Sequence, residues 1–129
     1  MRCLIVDDNR DFLRAASDLL ERTEITVVGV ASTGAQAGQA CRELQPDVVL
    51  VDIGLGKESG LDVARQLGGQ AGPDQPCVIL MSEHSAEDFA DVIADTPAVS
   101  FLPKGALSGS AVLSVLDIWP RPCRPGRPA

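Results

Sequence analysis

Aromatic residues are nearly missing from this chain: 129 residues include three Phe, one Trp and no Tyr. A core must therefore be built from Val, Leu, Ile and Ala. Histidine is limited to His84, which excludes a hydrolytic zinc centre with its usual two or three His ligands. Basic residues are also few, 11 Lys and Arg against 18 Asp and Glu, for a formal charge of −7. Arg121, Arg124 and Arg127 lie in the final stretch, and without them 8 basic against 18 acidic residues leave −10. So acidic a body excludes direct nucleic-acid binding through a basic patch. No apolar run approaches the roughly 18 residues of a membrane helix. The first predicted strand begins at Arg2, leaving no room for a signal peptide, so the expected location is cytoplasmic, without membrane contact. Cys3, Cys41 and Cys77 sit in apolar segments and Cys123 in a Pro-rich stretch. Their spacing fits neither a CxxC metal clip nor a disulfide framework, so small buried residues plus one exposed thiol are expected.

What the chain does contain is a set of short apolar runs that stop on polar residues. Cys3 to Val6 ends on Asp7 and Asp8, Val48 to Val51 on Asp52, and Val78 to Met81 on Ser82. Val99 to Leu102 is followed by Pro103 and Lys104, and Ile25 to Ala31 ends uncharged on Ser32 and Thr33. Between these runs the periodicity is helical. From Asn9 to Arg22, Phe12, Leu13, Ala16, Leu19 and Leu20 form an apolar stripe, with Asn9 or Asp8 as cap. Further helices are predicted from about Ala35 to Leu44, Ser59 or Gly60 to Gly68, Ala86 to Ala94, and Ser108 to Asp117. Strand and helix alternate five times. That pattern predicts an α/β fold, a five-stranded parallel sheet with helices on both faces and right-handed crossovers. All five runs read as strands buried on both sides. Residues 1–118 are expected to form the one domain, and residues 119–129, rich in Pro and Arg, an extended tail.

In such a sheet the polar stops share one edge, where open α/β sheets bind ligands. Two like charges about 4 Å apart repel by about 4 kcal/mol at an effective dielectric near 20. Asp7, Asp8 and Asp52 therefore need a cation, and hard oxygen donors select Mg²⁺ or Mn²⁺ over zinc. With the ion bound, Asp52, alone at the end of a central strand, can attack phosphorus, while Asp7 and Asp8 form the metal platform. The Lys104 ammonium and the Ser82 hydroxyl can each take an equatorial oxygen. The product is an aspartyl phosphate.

This set of residues resembles the response-regulator receiver domain of two-component signalling. The separations match that family: 52 − 8 = 44, 82 − 52 = 30 and 104 − 82 = 22. Gly60 matches the loop glycine before the third helix, and Phe101 the aromatic switch position. The resemblance covers about Arg2 to Asp117 and implies a doubly wound, flavodoxin-like sheet of strand order 2-1-3-4-5. It also implies that Asp8 and Asp52 ligate Mg²⁺ directly with the Gly54 carbonyl, and that Asp7 assists through water. Asp52 would receive a phosphoryl group from a sensor histidine kinase or phosphotransfer protein. Ser82 would then swing to the phosphate and Phe101 turn inward, switching the binding of a downstream protein that the sequence does not identify. Such a domain catalyses only its own phosphorylation and dephosphorylation. It is expected as a monomer or weak homodimer with no output domain in this chain.

Several positions depart from the family. Gly56 replaces a proline, and with Gly54 it makes the loop after Asp52 looser. Gly105, not proline, follows Lys104. Glu83 stands where a small residue is usual; it either points to solvent or repels an incoming phosphoryl group. Gly54 and His84 occupy positions that tune the lifetime of the phosphate; a missing side chain at Gly54 should admit water. Plainer readings remain beside these: Asp7 and Asp8 as helix caps, Ser82 as a turn residue, Phe101 as a static core aromatic, His84 as an exposed loop residue. Three other functions compete with this one. A receiver acting as a phosphorylation-independent adaptor is the main alternative. An aspartyl-phosphate phosphatase needs a second Asp where Gly54 stands. A flavin domain would find its phosphate repelled by Asp7 and Asp8.

Overall fold

The structure, a computed structural model, describes residues 2–23, 25–55, 58–68, 77–82 and 99–112. Its main sheet holds β1 (Arg2–Val6), β2 (Thr26–Ala31), β3 (Val48–Asp52), β4 (Cys77–Ser82) and β5 (Val99–Pro103). The order is β2-β1-β3-β4-β5 with every pair parallel, the doubly wound order the sequence predicts. The helices are α1 (Arg10–Leu20), α2 (Gly34–Leu44) and α3 (Gly60–Gly68); a single 3₁₀ turn spans Lys104–Ala106, and residues 109–112 are helical. The predicted helix at 86–94, Trp119, the 119–129 tail, Gly56, Glu83 and His84 all lie outside the described residues.

Alternation along each strand divides the core in two. Cys3, Ile5, Val48, Leu50, Cys77 and Ile79 face Leu13, Ala16 and Leu20 of α1, together with Leu107 and Val112. Leu4, Val6, Val49, Val51, Val78 and Leu80 face Ala37 and Cys41 of α2 and Val63 and Leu67 of α3. Helices thus cover both faces. Burying each Val, Leu or Ile is worth about 1.5–3 kcal/mol, and such residues make up most of both layers. β2 departs from expectation. It lies at the sheet's edge with β1 as its one partner, and Val30 is 51% exposed. A continuous apolar run therefore did not mean burial on both sides. Cysteine also departs: Cys3 and Cys41 are free and buried, but Cys77 is disulfide-bonded. Desolvation raises the thiol pKa of Cys3 to about 12 and of Cys41 to about 11, so both stay protonated and inert.

Local signals set the helix ends. Asn9 is the cap of α1, its side-chain oxygen accepting the N–H groups of Asp11 at 2.9 Å and Phe12 at 3.2 Å. Thr33 caps α2 by accepting the Gln36 N–H at 3.1 Å, while Gln36 Oε1 accepts the Ser32 N–H at 2.8 Å. This reciprocal pair starts α2 at Gly34, one residue before the predicted Ala35. Gln45, with φ 48°, takes the left-handed conformation that ends α2. Asn9→Ala removes two capping bonds and should lower stability by about 1 kcal/mol in denaturant unfolding, whereas Asn9→Asp should hold near wild type.

Candidate functional site

Strand register assembles the site. Cys3 pairs with Val48 and Val6 with Val51, so β1 and β3 are offset by 48 − 3 = 45 residues. One step further, the same offset sets Asp7 beside Asp52. Asp52 pairs with Met81, and Ser82 pairs with Pro103, the last residue of β5, so the 3₁₀ turn carries Lys104 over the same edge. Ligand oxygens of Asp7, Asp8 and Asp52 all lie within 4.8 Å of one another. Asp7 is fully buried, Asp52 nearly so, and Asp8 is exposed.

One ammonium faces these acids. Lys104 Nζ lies 2.7 Å from Asp7 Oδ2 and 3.4 Å from Asp52 Oδ2. The other Asp7 oxygen accepts the Asn9 backbone N–H at 2.9 Å. Among the described residues, Asp52 Oδ1 receives only a long contact, 3.4 Å, from the Gly54 N–H. Burial first, and then the Asp7 charge, push the Asp52 carboxyl above the usual carboxylate range, although Lys104 and the Gly54 N–H pull against them. Burial alone would depress the Lys104 ammonium; its contacts with Asp7 and Asp52 outweigh burial and raise it. Among the described residues, three carboxylates face one ammonium, an excess of negative charge. A small divalent cation fits that excess and the all-oxygen donor set. Asp7 Oδ2 adds to the fit: it is sealed from solvent, and no hydrogen-bond donor satisfies it beyond its charge pairing with Lys104.

Around this centre the other sequence-predicted residues take definite places. Ser82 is buried at the end of β4, and Phe101 is half-buried on β5, packed on the core layer that includes Leu55. After Asp52, Gly54–Leu55 pairs antiparallel with Glu58–Ser59. Gly60 closes this small ladder, its N–H donating to the Ile53 carbonyl at 2.7 Å. A Cβ on Gly60 would lie 1.9 Å from the Asp52 carbonyl oxygen, so no other residue fits there. Gly54 differs: a Cβ there would meet nothing within 4 Å. Two features went unread in the sequence. Asn9 holds Asp7 through its main-chain N–H, which no side-chain pattern reveals. Phe12, assigned to the core stripe of α1, also presents its ring to Lys104, whose Nζ lies 4.4 Å from the ring centroid.

Comparison with known proteins agrees with this geometry. Residues 3–113 match the family model described as the response regulator receiver domain. A protein-glutamate methylesterase/protein-glutamine glutaminase of Idiomarina loihiensis is 32% identical over 108 residues, 81% of this chain and 27% of that protein. A putative transcriptional regulator of Pseudomonas aeruginosa is 35% identical over 103 residues, 80% of this chain and 49% of that protein. The chain thus spans less than half the length of these curated relatives. Among solved structures, a CheY-like receiver domain from Methylobacillus flagellatus superposes with a TM-score of 0.75 at 20% identity, covering 91% of this chain and 96% of that one. The response regulator domain of Thermotoga maritima CheB gives 0.72 at 24%, covering 92% and 95%. These two likenesses establish the fold.

The charge arrangement has a measurable consequence for stability. Because the folded-state pKa of Asp52 is raised, its ionised form opposes folding above that pKa, and the penalty vanishes as pH falls below the unfolded value. In chelator at neutral pH, Asp52→Asn should therefore raise stability, read as a higher midpoint in thermal unfolding. The gain should shrink as pH falls toward about 4. Lys104 has the opposite sign: its stabilisation is complete below the ordinary lysine pKa and is lost as pH rises through the raised one. Lys104→Met should cost about 3 kcal/mol near neutral pH, since two buried carboxylates lose their counterion.

Proposed function

The chain belongs to the response-regulator receiver family of two-component signalling, and from that premise we propose that Asp52 accepts a phosphoryl group in a Mg²⁺-dependent reaction. The donor would be the phosphohistidine of a sensor histidine kinase or phosphotransfer protein. The grouping of three carboxylates beside one ammonium carries this reading. Asp7 is engaged at both oxygens, by the Asn9 N–H and by Lys104. Asp52 retains 11% side-chain exposure and, among the described residues, only the long Gly54 contact at Oδ1, which supports it as the buried acid with an oxygen open to approach.

Asp8 and Asp52, with the Gly54 carbonyl, would hold the ion, and Asp7 would assist through water. When bound, Mg²⁺ (or Mn²⁺) neutralises the carboxylates and takes charge from the phosphoryl oxygens. An Asp52 oxygen attacks phosphorus while the phosphorus–nitrogen bond to the donor histidine breaks, its electron pair remaining on nitrogen. Lys104 moves from Asp52 Oδ2 to a phosphoryl oxygen while Asp7 keeps hold of it. The Ser82 hydroxyl takes a second oxygen, and Phe101, on the neighbouring strand, repacks behind it. Partner binding would change through that repacking. Glu83 and His84 are proposed to tune the lifetime of the phosphate. Among the described residues no helix is long and apolar enough to cross a membrane, and a cytoplasmic role within residues 1–118 is part of this proposal.

Incubation with acetyl phosphate and Mg²⁺ should add one phosphoryl group to the wild type, read by intact mass, and none to Asp52→Asn or in excess chelator. Equal labelling of Asp52→Asn would remove Asp52 from the mechanism; no labelling of wild type would favour a phosphorylation-independent adaptor. The open space at Gly54 supports easy water access to the aspartyl phosphate. Filling it with Gly54→Met should lengthen the phosphate's half-life several-fold in a decay time course.

A further inference from the structure

We propose that Phe12 is the positioning residue for Lys104, its ring serving as the third wall of the cradle that aims the ammonium. The idea rests on the phosphoacceptor reading only for its functional consequence; the contact itself does not. Lysine is a compact charge on a flexible four-carbon stem, and ordering such a side chain costs rotamer entropy that its contacts must offset. Two of its anchors are acids, and they are unequal: Asp7 Oδ2 at 2.7 Å and Asp52 Oδ2 at 3.4 Å. Those two alone would let the ammonium settle onto Asp7, away from the reacting carboxylate. The Phe12 ring supplies the remaining contact, 4.4 Å from Nζ to the centroid, within the roughly 6 Å over which a ring face attracts a cation.

The ring is itself well placed to act as a wall. Phe12 is the third residue of α1, and the Asn9 side chain accepts its backbone N–H at 3.2 Å. Its side chain packs on the core layer formed by Leu13, Ala16 and the β1, β3 and β4 residues. Backbone and ring are therefore fixed from two directions. A ring face is also tolerant of lateral movement, unlike a hydrogen-bond acceptor. Lys104 can exchange Asp52 Oδ2 for a phosphoryl oxygen without leaving it. A purely structural role for Phe12 would be met equally well by leucine, which fills the core but offers no π face.

That difference sets the experiment. Phe12→Leu, Phe12→Trp, Lys104→Met and the Phe12→Leu/Lys104→Met double variant are compared with wild type. In the unphosphorylated protein, the Lys104 Hε resonances should lie upfield through the ring current. They should return to ordinary positions in Phe12→Leu and remain upfield in Phe12→Trp. With acetyl phosphate, Phe12→Leu should be phosphorylated on the order of 3- to 10-fold more slowly, with Mg²⁺ affinity unchanged and the rate restored in Phe12→Trp. In the Lys104→Met background, Phe12→Leu should slow the reaction no further. Unshifted Lys104 resonances in wild type, or equal and additive losses in both backgrounds, would overturn the proposal. Should wild type not be phosphorylated at all, the phosphoacceptor reading fails, and the resonance shifts together with the thermal-unfolding cycle of the same four proteins still decide the contact.

Discussion

Carboxylates crowded at the end of a parallel sheet repel one another, and the remainder of this site is organised around that repulsion. Asp7 and Asp52 sit side by side because β1 and β3 are paired at one register. Shifting that register by a single residue would turn Leu4, Val6, Val49 and Val51 from one core layer toward the other, so the hydrophobic effect holds the acids together against their charge. Lys104 is the only cation at the described site, and it is shared unequally. Asp7 takes most of it, Asp52 the remainder. Burial and the neighbouring Asp7 charge leave Asp52 with the raised pKa, and its side chain is the more accessible of the two.

Rigidity at this edge comes from elements that themselves bear no charge chemistry. The Asn9 cap fixes the first turn of α1, which presents both the N–H that orients Asp7 and the ring that touches Lys104. Gly60 lets the chain fold back onto the Asp52 carbonyl, so α3 begins directly after the short ladder that follows Asp52. The two core layers then anchor α1 on one face and α2 and α3 on the other. A charge change at Asp52 is thus met by a stiff frame on the β1 and β3 side. Ser82 and Phe101 stand on the β4 and β5 side, where a rearrangement can be expressed.

Much of this was legible residue by residue. Each strand of the main sheet, and each of α1, α2 and α3, falls within one or two positions of where apolar runs and helical stripes put it, because burial with a helical or strand period writes itself into composition; the small ladder of Gly54–Leu55 with Glu58–Ser59 was not legible. The convergence of Asp7, Asp8, Asp52 and Lys104 was legible too, since parallel strands end on one edge and the acids follow apolar runs directly. The exposure of Val30 on β2 was not: the expected order already put β2 at the edge, but a continuous apolar run gives no sign of which side chains meet solvent. Nor was the Cys77 disulfide, because spacing along the chain says little about distance across a fold.

The amino-acid sequence by itself determined the α/β alternation, the strand ends and the identity of the charged residues gathered there. Local periodicity and covalent order are enough for that. Only the tertiary structure decided how charge is shared: that Lys104 leans toward Asp7, that a main-chain N–H orients Asp7, and that Phe12 faces an ammonium as well as the core. Those outcomes depend on ångström-scale separations between segments far apart in the chain, and Coulomb and ring–cation forces change steeply over such distances.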